Sequence, residues 1–194
     1  MRVIGMIPAR MGSQRLKQKN LREIDGTPII VHAIRKSKAV SRIDEVWVNS
    51  EHDRFGELAA SEGVRFYKRP AHLANNQATS EDFVSDFLRQ HDCDYLFQVH
   101  SIAPLLTAAQ IDDFIRYMID GQYDVLLSVV NEQIECAYEG KPLNFTYDAK
   151  TNSQELSPVQ RVTWSVTGWK RNTFLEAHDA GKCAADRRCA QLEK

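Results

Sequence analysis

The sequence predicts an α/β fold with a mostly parallel sheet and helices on both of its faces. Short apolar runs alternate with segments of helical periodicity between residues 3 and 130, which is the pattern of repeated strand–helix units. The first of these runs is apolar throughout, as strands buried on both faces of a parallel sheet are. With 194 residues and no repeat or linker, the chain is predicted to be a single domain over residues 1–194.

Proline and glycine bound the elements of the first half of this alternation. Pro28 stands in the first turn of a helical pattern, where proline is favoured. Gly63 follows the next helical pattern and suits the residue after a helix end. The predicted elements are, in order, strand Val3–Ile7, helix Pro28–Lys38, strand Glu45–Val48, helix His52–Glu62 and strand Val64–Tyr67.

Capping residues mark the helices of the second half. Thr79 or Ser80 can cap a helix that has acidic residues in its first turn, where the helix dipole favours them. Thr107 precedes a helical pattern with four apolar residues on one face. The predicted elements are helix Glu81–His91, strand Tyr95–Val99, the helix after Thr107, and strand Asp124–Val130.

The pattern changes after Val130. Residues 131–160 are largely polar and rich in turn formers, which predicts a hairpin or dimerisation excursion. A weak strand is expected at Val162–Val166, and a short helix at Arg171–Ala180 that Gly181 would end. The tail after Gly181 is short and has no clear period, so no strand is predicted there.

Composition and charge narrow the classes of partner. Hydrophobic residues make up 43% of the chain and charged residues 26%, which is typical of soluble domains. No apolar run approaches the roughly 18 residues of a membrane span, and no signal peptide is recognisable. The net charge of −1 predicts no nucleic-acid partner. Four cysteines without CxxC or zinc spacing indicate reduced thiols in a cytoplasmic protein.

The loop after the first strand is the main candidate for a ligand site. It carries Arg10, Arg15, Lys17 and Lys19, and residues 1–22 contain no Asp or Glu. Ligands of open α/β sheets bind beyond the carboxyl ends of the strands, so a cationic loop here predicts an anionic ligand. The alternative is a solvated basic loop. Neither GxxxxGK[ST] nor GxGxxG is present, which gives a dinucleotide cofactor little support.

Four motifs in order resemble the cytidylyltransferases that activate acidic sugars, namely the CMP-sialic acid (acylneuraminate) synthetases and the related CMP-KDO synthetases. They are IPARxGSxRLxxKNL at residues 7–21, GTPII at 26–30, RPAHLA at 69–74 and QVHSIAPLLT at 98–107. The resemblance implies the Rossmann-like fold of nucleotide-diphosphosugar transferases and a homodimer. It also implies transfer of CMP from CTP to an acidic sugar, with release of pyrophosphate and with Mg²⁺ supplied with the CTP.

The resemblance also implies roles for individual residues. Arg10 and Lys19 are the implied catalytic residues, since phosphoryl transfer depends on positioning and on neutralising charge. Nucleotide binding is implied for Ala9, Gly12, Ser13, Arg15, Asn20, Arg69 and Ser80. Sugar binding is implied for Gln98, Ser101 and Gln160. The backbone amides of Gly12 and Ser13 suit a phosphate cradle.

Each of several roles has a structural alternative. Arg69 can be explained by a surface ion pair, Ser80 by a helix cap and Gln98 by bonds to backbone groups. A lone histidine at a strand end, such as His100, is more often structural than a general base. The family commonly has threonine at that position, so His100 is not assigned a catalytic role.

The chain departs from the family pattern in three places. The segment at 98–107 lacks the family's TSP and the KDO branch's acidic residue, and the stretch at 157–169 matches the downstream motif poorly. The C-terminal acidic motif is missing, which leaves Asp186 alone and the metal ligands unidentified. Two alternatives therefore stay open: a truncated, inactive relative that binds nucleotide or a partner, and a nucleotidyltransferase that uses another nucleotide or a sugar phosphate.

Overall fold

A computed structural model describes residues 1–13, 16–149, 152–186 and 189–193. The strands are β1 (Val3–Pro8), β2 (Glu23–Ile24), β3 (Thr27–Pro28), β4 (Glu45–Ser50), β5 (Arg65–Lys68), β6 (Tyr95–Val99), β7 (Val125–Glu132), β8 (Ala137–Tyr138), β9 (Lys141–Pro142), β10 (Val159–Lys170) and β11 (Cys189–Glu193). The α-helices are α1 (Ile29–Lys38), α2 (Asp53–Ser61), α3 (Ser80–Gln90), α4 (Ala108–Asp120) and α5 (Arg171–Asp179).

A seven-stranded sheet in the order β11-β7-β10-β6-β1-β4-β5 forms the centre of the fold. The pairs β1–β4, β1–β6, β4–β5 and β7–β11 are parallel, and β10 runs antiparallel to both of its neighbours. The mostly parallel α/β fold is thereby confirmed. The carboxyl ends of β1, β4 and β6 meet at one edge, and the loops that leave this edge build the candidate site.

Helices cover both faces of the sheet, as the sequence predicts. On one face the buried residues of α1, α2 and α4 pack with Val3, Ile7 and Phe97 of the sheet. On the other face α3 and α5 pack against Met6 and Trp169. Because β1, β6 and the first part of β7 are buried from both sides, apolar residues follow one another along these strands, and the sequence alone could identify them.

Local capping explains where α3 and α4 begin. Thr79 accepts from the backbone N–H of Asp82, and Asp82 accepts in return from the N–H of Thr79, so this pair forms a capping box at α3. Thr107 and Gln110 form the equivalent box at α4. The first cap settles the choice between Thr79 and Ser80 in favour of Thr79. The prediction of a helix after Thr107 is confirmed.

The C-terminal part differs from the prediction. The strand expected at Val162–Val166 extends over Val159–Lys170, and β11 lies where no strand was predicted. The short strand β11 forms because the backbone of β7 pairs with it in parallel at the edge of the sheet. Within the excursion at 131–160, β8 and β9 form a small hairpin. No helix in the described part of the chain is both long and apolar enough to cross a membrane.

Gly168 on β10 marks a point where the core admits no side chain. A Cβ at this position would lie 2.5 Å from Sδ of Met118 and 2.6 Å from Cε1 of Phe97. Overpacking a core costs about 1–3 kcal/mol. We therefore expect Gly168→Ala to lower the free energy of unfolding by about 2 kcal/mol, as measured by urea denaturation. An unchanged midpoint would show that Met118 and Phe97 can move aside.

Candidate functional site

A cationic cavity of about 280 Å³ lies at the carboxyl ends of β1 and β6. Segments far apart in the sequence meet there, and most of the predicted site residues are among those that line it. The predicted residues in its wall are Ala9, Arg10, Lys19, Asn20, Arg69, Ser80 and Ser101. Its described lining includes three cationic side chains and no carboxylate. A concave surface that carries only positive charge attracts an anion.

Arg69 is the most constrained of the three cations. Its side chain is buried, with the residue 4% exposed, which rules out the surface ion pair. Its Nη2 donates to the carbonyl of Ala9 at 2.8 Å and lies 3.7 Å from Oε2 of Glu51. The guanidinium carbon lies 4.6 Å from the ring centre of Phe83. The two other nitrogens, Nε and Nη1, have no hydrogen-bond partner among the described residues.

The electrostatics of Arg69 follow from this burial. Desolvation lowers its pKa to about 10, with Arg10 acting in the same direction and Glu51 opposing it. The guanidinium is therefore still protonated at neutral pH. Buried donors without partners are rare in proteins and call for an explanation. Two such donors on a cation in a cavity wall are suited to an anionic ligand that accepts hydrogen bonds.

Asn20 and Ser101 fix the cationic loop against the end of β6. The Asn20 side-chain amide donates to the carbonyl of Arg10 at 3.2 Å, and its oxygen accepts from the Ser101 hydroxyl at 2.8 Å. Both residues are buried. These bonds hold the backbone that carries Arg10 in place. Ser101 lies in the cationic cavity, whereas the sequence grouped it with the sugar-binding residues.

Arg10 reaches across this cavity to the segment before α3. Its Nη1 donates to the carbonyl of Asn75 at 3.0 Å and is 3.4 Å from Oδ1 of Asn76. Lys19 lies in the wall of the same cavity. The arrangement joins β1, the basic loop and the residues before α3 around one site.

The glycine-containing part of the basic loop lies beside this site. Gly12, Ser13 and Lys17 line a separate cavity of about 660 Å³. The Ser13 amide donates to the carbonyl of Met11 at 3.0 Å, so a phosphate could use that amide only after this bond opens. A Cβ on Gly12 would meet nothing within 4 Å. Arg15 lies outside the described residues, so its predicted role has no structural counterpart.

An apolar cavity of about 390 Å³ adjoins the cationic one. Ser80 and His100 line both cavities. Trp164, Trp169 and Leu127 supply apolar walls, and the described lining includes the carboxylate of Glu81 and neither Lys nor Arg. An uncharged, partly apolar group fits such walls better than an anion does.

Gln98 is a buried polar residue in the wall of the apolar cavity. It is 1% exposed, and its Nε2 has no hydrogen-bond partner among the described residues. A buried amide donor of this kind can bind an oxygen of a ligand in that cavity. Gln160, in contrast, is exposed near the start of β10 and belongs to the lining of neither cavity. The structure therefore does not bring Gln160 to the other sugar-binding candidates.

Two residues at the site were not predicted as functional. Glu51 accepts from the Met11 amide at 2.8 Å and from the Ser50 hydroxyl at 3.1 Å, besides facing Arg69. Trp164 has a φ of +56° and is half-exposed, within the stretch where the register of β10 against β7 shifts. Positive φ is unfavourable for tryptophan. The signals available in the sequence were an acidic residue just past a strand and an aromatic residue in a strand of weak pattern.

Magnesium ligands are not evident. The part of the chain that the structure describes contains no group of three or more His, Cys, Asp or Glu side chains placed to hold a metal ion. The side chain of Asp186 is not among those described. The described residues therefore identify no magnesium ligands, and we assign no residue to that role.

A mostly parallel α/β sheet with a cationic cavity at its strand ends is the arrangement found in α/β domains that bind anionic ligands such as nucleotides. The sequence model of the family described as cytidylyltransferase matches residues 4–180. The chain therefore belongs to that family, and the resemblance found in the sequence is confirmed.

Individual relatives agree with this assignment. The chain is 25% identical over 179 residues to N-acylneuraminate cytidylyltransferase A of Danio rerio, covering 90% of this chain and 41% of that protein. It is 26% identical over 182 residues to the N-acylneuraminate cytidylyltransferase of Escherichia coli O18:K1:H7, covering 93% and 41%. The chain thus spans about two fifths of the length of these relatives.

The fold is similar to that of a CMP:2-keto-3-deoxy-manno-octonic acid synthetase solved in complex with CTP. The two structures have a TM-score of 0.74 at 16% identity, and the alignment covers 100% of this chain and 91% of the other. At this identity the similarity concerns the fold alone. It confirms the expectation of a nucleotide-diphosphosugar transferase type of sheet.

Proposed function

We propose that this chain transfers the cytidylyl group of CTP to an acidic sugar of the sialic acid or KDO type and releases pyrophosphate. The observation that carries the proposal is Arg69, a buried cation with two unpartnered donors in a cavity that also holds Arg10 and Lys19. A triphosphate would supply acceptors for the two unpartnered nitrogens of Arg69 and negative charge for all three cations. The named activities of the curated relatives supply the identity of the nucleotide and the sugar class.

The proposed reaction uses the two adjoining cavities. The triphosphate binds in the cationic cavity, where Arg10 and Lys19 stabilise the charge that develops on the phosphoryl oxygens. Arg69 and Ser80 hold the nucleotide, the latter from the positively polarised first turn of α3. The sugar binds in the apolar cavity against Gln98. Its hydroxyl attacks the α-phosphorus at the boundary between the two cavities.

Three further properties belong to the same proposal. Mg²⁺ enters with the CTP phosphates, a mode of binding that needs few protein ligands. The chain acts in the cytoplasm.

The chain forms a homodimer through the 131–160 excursion, on which Tyr138, Leu143 and Tyr147 are 63–74% exposed. Light scattering coupled to size exclusion tests the dimer, and a monomeric mass at micromolar concentration would contradict it.

The deciding experiment measures pyrophosphate release with Mg²⁺ and a panel of acidic sugars. CTP is compared with ATP, GTP and UTP in parallel reactions. We expect release with CTP and one acidic sugar, at a rate at least ten times that with the other nucleotides. CTP binding by calorimetry without release from any acceptor would overturn the proposal in favour of an inactive nucleotide-binding relative.

A second candidate is transfer to an acceptor that is not an acidic sugar. The observation that favours it is the apolar cavity, whose described lining has Glu81 and no cationic side chain to pair with a sugar carboxylate. Neutral polyols, which need no cationic partner, belong in the same assay panel, with sugar phosphates as the anionic comparison. Release with one of these and with no acidic sugar would replace the first proposal by this one.

Gly12 offers a test of the phosphate-binding loop that folding does not confound. Alanine at this position meets no neighbour within 4 Å, so the free energy of unfolding should change by less than about 0.5 kcal/mol. If phosphate approaches this backbone closely, the added Cβ occupies its space. We expect Gly12→Ala to raise the KM for CTP about tenfold. An unchanged KM would show that the ligand does not contact this loop.

A further inference from the structure

His100 lies where the two cavities of the site meet. It directly follows β6, and its backbone N–H donates to the carbonyl of Ser165 at 3.0 Å, which fixes it between β6 and β10. It belongs to the lining of the cationic cavity and to that of the apolar cavity, a property it shares with Ser80. A side chain in this position borders both a nucleotide in one cavity and an acceptor in the other.

The imidazole is not committed to a structural hydrogen bond. No hydrogen bond joins its ring to another of the described residues. His100 lies between the buried residues Val99 and Ser101 and is itself partly exposed. A structural histidine at a strand end would instead hydrogen-bond its ring to nearby protein groups.

We propose that His100 is the general base of the transfer reaction. This inference rests on the proposed function. A ring nitrogen of neutral His100 takes the proton from the attacking hydroxyl of the acceptor. The hydroxyl oxygen forms a bond to the α-phosphorus of CTP, and the bond from that phosphorus to the bridging oxygen breaks. Pyrophosphate leaves with the electron pair of the broken bond, and the protonated imidazole returns its proton to water.

The charges around His100 favour this role. Burial and the positive charge of Lys19 lower the pKa of His100 to about 4, so the free imidazole is neutral and able to accept a proton at neutral pH. A bound triphosphate offsets Lys19 and raises that pKa, which makes the ring a stronger base in the complex. The titratable and charged groups that share the two cavities with His100 are Lys19, Arg10 and Arg69 on one side and Glu81 and Cys183 on the other.

The sign of the pH dependence follows. The reaction needs neutral His100, so kcat falls as the pH decreases through the pKa of His100 in the complex. The pKa of His100 is about 4 in the free protein, and bound phosphate raises it. The acidic limb of the kcat profile is therefore expected between about pH 4 and the ordinary histidine value of about 6.5.

The test compares His100→Gln with His32→Gln as the matched control. His32 lies on α1, its ring contacts the carbonyl of Ile24, and it lines neither cavity. We expect His100→Gln to lower kcat at least about 10²-fold, as loss of a general base does. The KM for CTP should stay within threefold of wild type, and the acidic limb of the kcat profile should disappear. His32→Gln should change none of these quantities.

A second variant guards against a purely structural effect. His100→Ala is expected to regain at least tenfold in rate with added imidazole, and CTP binding by calorimetry reports whether either variant is folded. A wild-type kcat or an unchanged acidic limb in His100→Gln would overturn the inference while leaving the proposed function intact. Absence of pyrophosphate release by the wild-type chain with every pair of substrates would overturn the proposed function, and the inference with it.

Discussion

Replacing Arg10 with alanine is expected to lower the kcat of pyrophosphate release about 10²-fold. This is the magnitude associated with the loss of one preorganised donor to a developing negative charge. Arg10 is suited to that role because Nη1 is already held by Asn75 and Asn76, and because Asn20 holds its backbone carbonyl. A side chain fixed in this way needs little reorganisation when charge develops on the phosphoryl oxygens.

The matched control for this substitution is Arg35→Ala. Arg35 lies on α1, where it is exposed and forms a two-bond ion pair with Glu62, and exposed pairs of this kind contribute about 1 kcal/mol or less. The kcat and KM of Arg35→Ala should equal those of wild type. Steady-state rates with saturating CTP give the comparison. If Arg10→Ala retains more than a third of the wild-type kcat, the catalytic role of Arg10 is wrong.

The order of elements could be predicted because local signals agreed with the final packing. Val3–Pro8 is apolar on both faces and ends at a proline, and Thr107 forms with Gln110 the cap that its position suggested. β11 could not be predicted because nothing in residues 189–193 selects a strand until β7 offers an unpaired edge. Ala190 and Leu192 of β11 pack on one face of the sheet and Cys189 packs on the other. This alternation is too short to be recognised as a strand from the sequence alone.

In the site, too, the sequence motifs predicted some residues, while others depend on contacts that only the fold creates. The motif residues before α3 and those after β1 line one cavity because parallel strands bring their carboxyl ends together. Gln160 was assigned by analogy with a downstream motif that this chain matches poorly, and it lies on an exposed part of β10. Glu51 was missed because the residues that it contacts, Met11 and Arg69, are distant from it in the sequence.

Replacing Arg69 with methionine is expected to weaken CTP binding by about 10- to 100-fold with little effect on folding. The predicted loss in affinity corresponds to the net contribution of about one charged hydrogen bond, about 1.5–3 kcal/mol. The small effect on folding follows from two opposing contributions. The hydrogen bond to the Ala9 carbonyl is lost. The cost of burying a poorly paired cation, evident in a pKa lowered to about 10, is removed.

Thermal unfolding with and without CTP measures both quantities at once, because a ligand that binds only the folded state raises Tm in proportion to the logarithm of its concentration over Kd. Arg65→Met, on the exposed start of the same strand β5 beside Glu45 and Trp47, is the matched control and should keep the full CTP-induced shift. Arg69→Met should lose most of that shift, with the Tm of the free protein within a few degrees of wild type. A full CTP-induced shift in Arg69→Met would mean that the two unpartnered nitrogens of Arg69 do not contact the nucleotide.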